Sequence, residues 1–275
     1  MEQPSAPLSE RLALHHWTLE QLPLAEFLRV ARETGWNAVE LRRSSFTKSY
    51  AAGMTNAQVL DVLGTSGIKV AVIGTEYGLY FAQGDERRRL LAVLDETCAN
   101  ARALGCDTVM CAEGPRKGLL SEVADNLRAA GDICSRYGLR FAFEFSSTAT
   151  VVNSLAVACE LQARVKHPNV GLLLDAYHLE RTGAGGRGFA DVPGGDIFAF
   201  QYSDVPATPL VPGAPPTDRV VPGQGVVRWR DVFALLQEKG FNGYISYEAP
   251  NPANASRSPY DVAREAAQAT RAFLD

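Results

Sequence analysis

Excess positive charge, paired cysteines and long apolar runs are all missing from this chain of 275 residues. Lysine and arginine number 27 against 31 aspartates and glutamates, a formal net charge of -4. Nothing in that balance favours wrapping a polyanion or lying on an acidic membrane, so the expected partner is a small molecule rather than nucleic acid or lipid. The five cysteines, Cys98, Cys106, Cys111, Cys134 and Cys159, contain no CxxC pair, and their odd number leaves one over in any disulfide scheme. Reduced, mostly buried thiols are the expectation. The opening MEQPSAPLSE lacks a basic start and an apolar run, and no stretch reaches the roughly 18 apolar residues of a spanning helix. A cytoplasmic protein is expected, with residues 1–10 flexible and residues 11–275 forming one domain.

What is present is ample material for a core, since 46% of the residues are hydrophobic. One phrase recurs with different letters: an amphipathic helix, a glycine, one to three residues, then a short apolar strand. It is read in ETGWNAVEL, TSGIKVAVI, ALGCDTVMC, RYGLRFAFEF and EKGFNGYIS. Gly35, Gly67, Gly105, Gly138 and Gly240 sit where a helix ends in the left-handed conformation, which lacks a steric cost when no Cβ is present. Leu24, Phe27, Leu28 and Ala31 form the one-sided stripe of a helix packed on a sheet. Thr55 and Ser121 are N-cap candidates.

Eight near-continuous apolar runs read as strands covered on both faces: LALHHW, NAVEL, KVAVIGT, DTVMCAE, RFAFEF, VGLLLDAYH, IFAFQYSD and YISYEAP. Eight strands alternating with helices predict a (β/α)8 TIM barrel of the α/β class, where an open doubly wound sheet more often stops at five to seven. The Pro-rich stretch from Asp204 to Gly225 reads as a long loop after strand seven, on the catalytic face.

Polar residues close the last four runs: Glu144, Asp175 with His178 three residues on, Gln201 with Asp204, and Glu248. Side chains alternate along a strand, so Glu144 shares a face with Ala142, Gln201 with Ala199, and Glu248 with Ser246. If the small residues point inward, the polar ones project into the barrel mouth. Three converging carboxylates would repel one another unless a cation lay between them. Glu144, Asp175, Gln201 and Glu248 therefore read as ligands of one divalent metal ion. Such an oxygen-rich set suits Mn²⁺ first, with Mg²⁺ or Co²⁺ as alternatives, better than Zn²⁺.

With these residues in order, the chain resembles the xylose isomerase-like TIM barrels, which include sugar isomerases and epimerases, inosose dehydratases, dehydroshikimate dehydratases and apurinic endonucleases. The resemblance runs from LALHHW to the last helix. It is carried by Glu144, the DxxH of Asp175 and His178, the [HQ]xxD of Gln201 and Asp204, the RVVPGQG segment from Arg219 to Gly225, and Glu248. Gln201 is a departure from the histidine of many epimerases and resembles dehydroshikimate dehydratases instead. With only four histidines, one of them at a motif position, the three-metal site of the endonucleases is set aside.

The resemblance implies an isomerase or epimerase acting on a small sugar or polyol-derived hydroxy-ketone through an enediolate, with Glu144 and Glu248 as base and acid. The alternative is a metal-dependent dehydratase of dehydroshikimate or inosose type. That lyase needs a group for the substrate carboxylate; VAVIGTEYGLYFAQG contains no arginine, which leaves Arg42 or Arg43. His178, Arg219 and His15 are candidate substrate contacts, and Asp204 is read as orienting a ligand or nearby backbone. Glu40 and Glu113 are open to two readings, mouth residue or structural ion-pair partner. Trp17, Tyr77, Tyr80 and Phe81 are candidates for an apolar wall beside the substrate, and the run Tyr77 to Phe81 for a contact between subunits of a homo-oligomer.

Overall fold

In the computed structural model, which describes residues 6–114, 117–211 and 213–274, eight parallel strands close into a barrel in chain order. They are β1 (Leu12–His15), β2 (Ala38–Leu41), β3 (Lys69–Gly74), β4 (Thr108–Cys111), β5 (Arg140–Glu144), β6 (Val170–Asp175), β7 (Ile197–Tyr202) and β8 (Ile245–Tyr247). The ring closes where Leu12 of β1 pairs with Ile245 of β8. Around it run α1 (Leu24–Glu33), α2 (Arg43–Ala51), α3 (Asn56–Thr65), α4 (Gly84–Ala103), α5 (Leu120–Arg136), α6 (Leu155–Val165), α7 (Ala176–Arg181), α8 (Trp229–Glu238) and α9 (Pro259–Arg271). The (β/α)8 architecture is the one the alternation of elements predicts.

The helix-to-strand joints follow the glycines. Gly35, Gly67, Gly105, Gly138 and Gly240 have φ of 87°, 72°, 67°, 68° and 67°, all left-handed. Leu24, Phe27, Leu28 and Ala31 form the buried stripe of α1. Thr55 caps α3 by accepting from the Gln58 N–H, and the Gln58 side chain accepts the Thr55 N–H at 2.8 Å. Ser121 is a correction: α5 begins one residue earlier, and the cap role falls to the Glu122 carboxylate, which accepts the Leu119 N–H at 2.8 Å.

Of the segment 1–10 expected to be flexible, residues 1–5 lie outside the described residues, and Leu8–Glu10 forms a 3-10 turn with Leu8 buried. Arg11 ties it to the barrel floor, donating to the carbonyls of Ala6, Phe241 and Gly243. All five cysteines are unpaired, Cys159 half-buried and the others buried. No helix among the described residues is long and apolar enough to cross a membrane. The aromatic run expected at a subunit contact is instead internal: Tyr80 and Phe81 are buried, and the Tyr80 hydroxyl accepts the Glu144 N–H at 3.0 Å.

Two apolar layers result from the alternation. One lies between strands and helices; the other fills the barrel with Ala13, Ala38, Ala71, Val72, Met110, Ala142, Leu173 and Ala199. Small residues dominate this inner layer, and the polar strand-end residues stand directly above it.

Candidate metal centre

Two residues beyond each inner-layer position, a side chain points the same way one step nearer the mouth. Ala13 is thus followed by His15, Ala38 by Glu40, Ala142 by Glu144, Leu173 by Asp175 and Ala199 by Gln201. Glu248 stands two beyond Ser246, which pairs with Gln201 across β7 and β8. Asp175 and Gln201 pair across β6 and β7. On β3 and β4 the equivalent positions are Gly74 and Ala112, so the polar groups come from the other six strands. All six polar residues are buried, none more than 6% exposed.

Ligand-type atoms of Glu144, Asp175 and His178 lie within 4.8 Å of one another. Arg219 enters this group from the long loop. Its Nη1 donates to Asp175 Oδ2 at 2.8 Å and to the Glu248 carbonyl at 3.0 Å, and its Nη2 stands 3.2 Å from Glu248 Oε2. The guanidinium lies 4.3 Å over the Tyr177 ring, and Tyr177 in turn donates to Asp218 at 2.6 Å. His178 Nδ1 faces the Ser147 N–H at 3.2 Å and the Ser147 hydroxyl at 2.9 Å, and its Nε2 lies 3.4 Å from Arg219 Nη2, 3.7 Å from Glu144 Oε1 and 3.8 Å from Asp175 Oδ2.

On the opposite side, Gln201 Nε2 donates to Glu40 Oε1 at 2.7 Å. His15 accepts the Trp17 N–H at Nδ1, so its Nε2 proton faces Glu248 Oε1 at 3.3 Å and Glu40 Oε1 at 3.6 Å. His15 and Arg219, expected at the substrate, thus turn most of their hydrogen-bonding capacity to protein groups.

Burial dominates the electrostatics. It raises the Glu144 carboxyl well above its usual range, with Glu248 and Asp175 adding repulsion. Burial also pushes Glu248 up to about 7, against the pull of Arg219. Glu40 rises to about 8 for the same primary reason. His178 is lowered to about 4 by burial, and His15 is lowered well below its usual value, so both imidazoles are neutral at pH 7. Burial alone would lower the Arg219 pKa; Asp175 and Glu248 outweigh it and keep the guanidinium charged.

The residues fit a divalent cation. Glu144 Oε1 and Gln201 Oε1 are buried without a hydrogen bond, which is costly for acceptors of this kind unless something else meets them. Glu144, Asp175 and Glu248 set three carboxylates against the single charge of Arg219, leaving a deficit that one doubly charged ion would close. Without such an ion, the raised acids hold protons in its place.

Other strand-end residues settle differently. Glu113 accepts backbone N–H groups of Thr150, Val151 and Val152 and is bound into the loop after β5. Asp204 accepts from the N–H groups of Val205, Gly223 and Val227 and from Trp229 Nε1, so it orders loop backbone. Of the two acids open to either reading, Glu40 is the one that reaches the mouth, beside Gln201. Its signal was there: Ala38-Val39-Glu40 repeats the small-apolar-polar triplet of Ala142-Phe143-Glu144 and Ala199-Phe200-Gln201.

A family model described as xylose isomerase-like TIM barrel matches residues 28–273. The inosose isomerase of Bacillus velezensis is 26% identical over 266 residues, covering 94% of each chain. The 3-dehydroshikimate dehydratase of Pseudomonas aeruginosa is 32% identical over 164 residues, which is 55% of this chain and 26% of that protein. Among solved structures, the IolI protein with a bound zinc atom superposes with a TM-score of 0.83 at 23% identity, covering 96% of this chain and 98% of that one. These relatives include enzymes of more than one reaction class.

Proposed function

The chain belongs to the xylose isomerase-like TIM barrels, and on that premise we propose that it is a divalent-metal-dependent isomerase or epimerase of a small sugar or polyol-derived hydroxy-ketone. The observation that carries this reading is the burial of Glu144, Asp175 and Glu248 at one barrel mouth together with the unpartnered oxygens of Glu144 and Gln201. Similarity to an inosose isomerase along 94% of both chains supports the substrate class.

In this reading Glu144, Asp175, Gln201 and Glu248 hold the ion. Bound there, a divalent cation, Mn²⁺ in our assignment for an all-oxygen set, supplies Lewis-acid polarisation of a substrate carbonyl. Glu144 and Glu248 exchange the proton on the carbon next to that carbonyl, one removing it and the other returning it. Arg219 pairs with Asp175 and Glu248 and holds both in place, while the neutral His178 sets its Nε2 beside Glu144 and Asp175 at the edge of the site.

A dehydratase is the second reading, favoured by Gln201, by the 32% identity with the dehydroshikimate dehydratase and by one arginine. Arg43 is taken up by Glu96 at 2.9 Å, whereas Arg42 stacks 4.4 Å over Trp17 with Glu20 no closer than 3.7 Å. Arg42 is therefore the guanidinium open to a substrate carboxylate. Incubation of the Mn²⁺-loaded protein with an inosose and with 3-dehydroshikimate in D₂O decides between them. Solvent deuterium in a recovered or epimerised ketone supports the isomerase; loss of water from the acid alone replaces it with the lyase.

A further inference from the structure

We propose that Glu40 is a positioning residue that fixes the side-chain amide of Gln201 so that its oxygen, and not its nitrogen, faces the cation site. The proposal rests on the reading of Gln201 as a ligand. An amide presents two ends of nearly equal shape, of which only the oxygen can coordinate a cation. Rotation by half a turn would aim the NH₂ group at the ion and abolish the bond, so an amide ligand needs something to choose its orientation.

Glu40 is placed to make that choice. Its strand β2 is not a neighbour of β7 in the ring, so the 2.7 Å bond from Gln201 Nε2 to Glu40 Oε1 crosses the barrel interior. Reversing the amide would bring oxygen against oxygen at that distance and leave the NH₂ group among the carboxylates. Gln201 Oε1 meanwhile has no partner and is buried, the state of a ligand atom held ready. Glu40 Oε1 keeps a lone pair for the amide whether or not Oε2 carries a proton. The same oxygen lies 3.6 Å from His15 Nε2, which stands 3.3 Å from Glu248 Oε1. One carboxylate on β2 thus touches the β7 ligand directly and the β8 ligand through one imidazole, the role that outer partners of metal-binding side chains play.

The test is Mn²⁺ affinity of the full chain, measured by competition with a chromophoric chelator, in wild type, Glu40→Ala, Glu40→Gln, Gln201→Ala and the double variant Glu40→Ala/Gln201→Ala. Removal of such an outer partner is expected to weaken binding by about 10- to 100-fold. Glu40→Gln should stay within a few-fold of wild type, because the introduced amide oxygen still accepts. The loss in the double variant should fall well short of the sum of the two single losses, since both changes remove the shared Glu40–Gln201 interaction. Should Glu40→Ala fail to fold, Glu40→Met fills the same volume without an acceptor and carries the same comparison. Wild-type affinity in Glu40→Ala, or additive losses in the double variant, overturns the proposal while leaving the metal centre intact. Full affinity in Gln201→Ala removes Gln201 from the ligand set and the proposal with it.

Discussion

Glu113 and Glu144 leave adjacent strands of one barrel, both buried, and differ in what meets their oxygens. Glu113 Oε1 accepts the Thr150 N–H at 2.9 Å and the Thr150 hydroxyl at 3.2 Å, while its Oε2 accepts the Val152 N–H at 2.6 Å. Glu144 Oε1 accepts nothing, and its nearest charged neighbours include Glu248 and Asp175. Donors have saturated the first carboxylate, and it stabilises the fold. The second stands among its own kind at a cost to stability, which supports the chemical role we propose for it. Charge and burial do not separate them; satisfaction does.

The contrast can be broken at either end. The largest effect is expected for Glu144→Gln and Glu248→Gln, each lowering turnover by about 10³-fold with the fold retained, whereas Glu113→Gln should cost less than tenfold. Steady-state kinetics with circular dichroism reads this, and undiminished turnover in Glu248→Gln would remove it as acid or base. Stability should rank the residues in reverse. Glu113→Ala strips acceptors from the loop N–H groups and should cost about 2–4 kcal/mol in urea denaturation, while Glu144→Ala in metal-free protein should be neutral or stabilising.

Loading the site sharpens the comparison further. Mn²⁺ at a hundred times its dissociation constant should stabilise the wild type by about 2.7 kcal/mol and leave Glu144→Gln much less affected. Thermal melts with and without the ion test this. The smallest effect is one of pH. Glu144, Glu248 and Glu40 have folded pKa values above those of the unfolded chain, so the folded state binds more protons between the two. Their contribution is present below the ordinary carboxylate range and is lost as pH rises toward about 7 for Glu248 and about 8 for Glu40. Metal-free protein should therefore lose up to about 1.4 kcal/mol per pH unit for each proton retained over that window. A flat melting temperature between pH 5 and 8 would contradict the raised values.

The barrel was legible because its signals are local. A glycine past a helix and an apolar run are read within a dozen residues, and the five left-handed joints lie at the glycines so marked. The placement of Glu144, Asp175, Gln201 and Glu248 at one mouth follows from strand alternation alone. The partners that separate one acid from another come from distant chain. Glu113 is saturated by residues 37 to 39 positions away, and Glu40 meets an amide 161 positions away. Arg219, a candidate substrate contact in the sequence, likewise finds its partner far along the chain, in Asp175, 44 residues distant.

Asp204 gives the long loop a property of its own. The chain departs at Asp204 and returns at Val220, and the two exchange backbone hydrogen bonds of 2.8 and 3.1 Å. The Asp204 carboxylate then clasps the returning Gly223 and Val227, and a Cβ at Gly225 would lie 2.3 Å from that carboxylate, so the seam is closed. Residues between the two ends form a cassette. Doubling its length adds only roughly 0.6 kcal/mol of closure entropy, and Arg219, the last residue before the seam, stays anchored on Asp175 and Glu248. What the mouth admits can thus be rewritten, by descent or by design, independently of what it does.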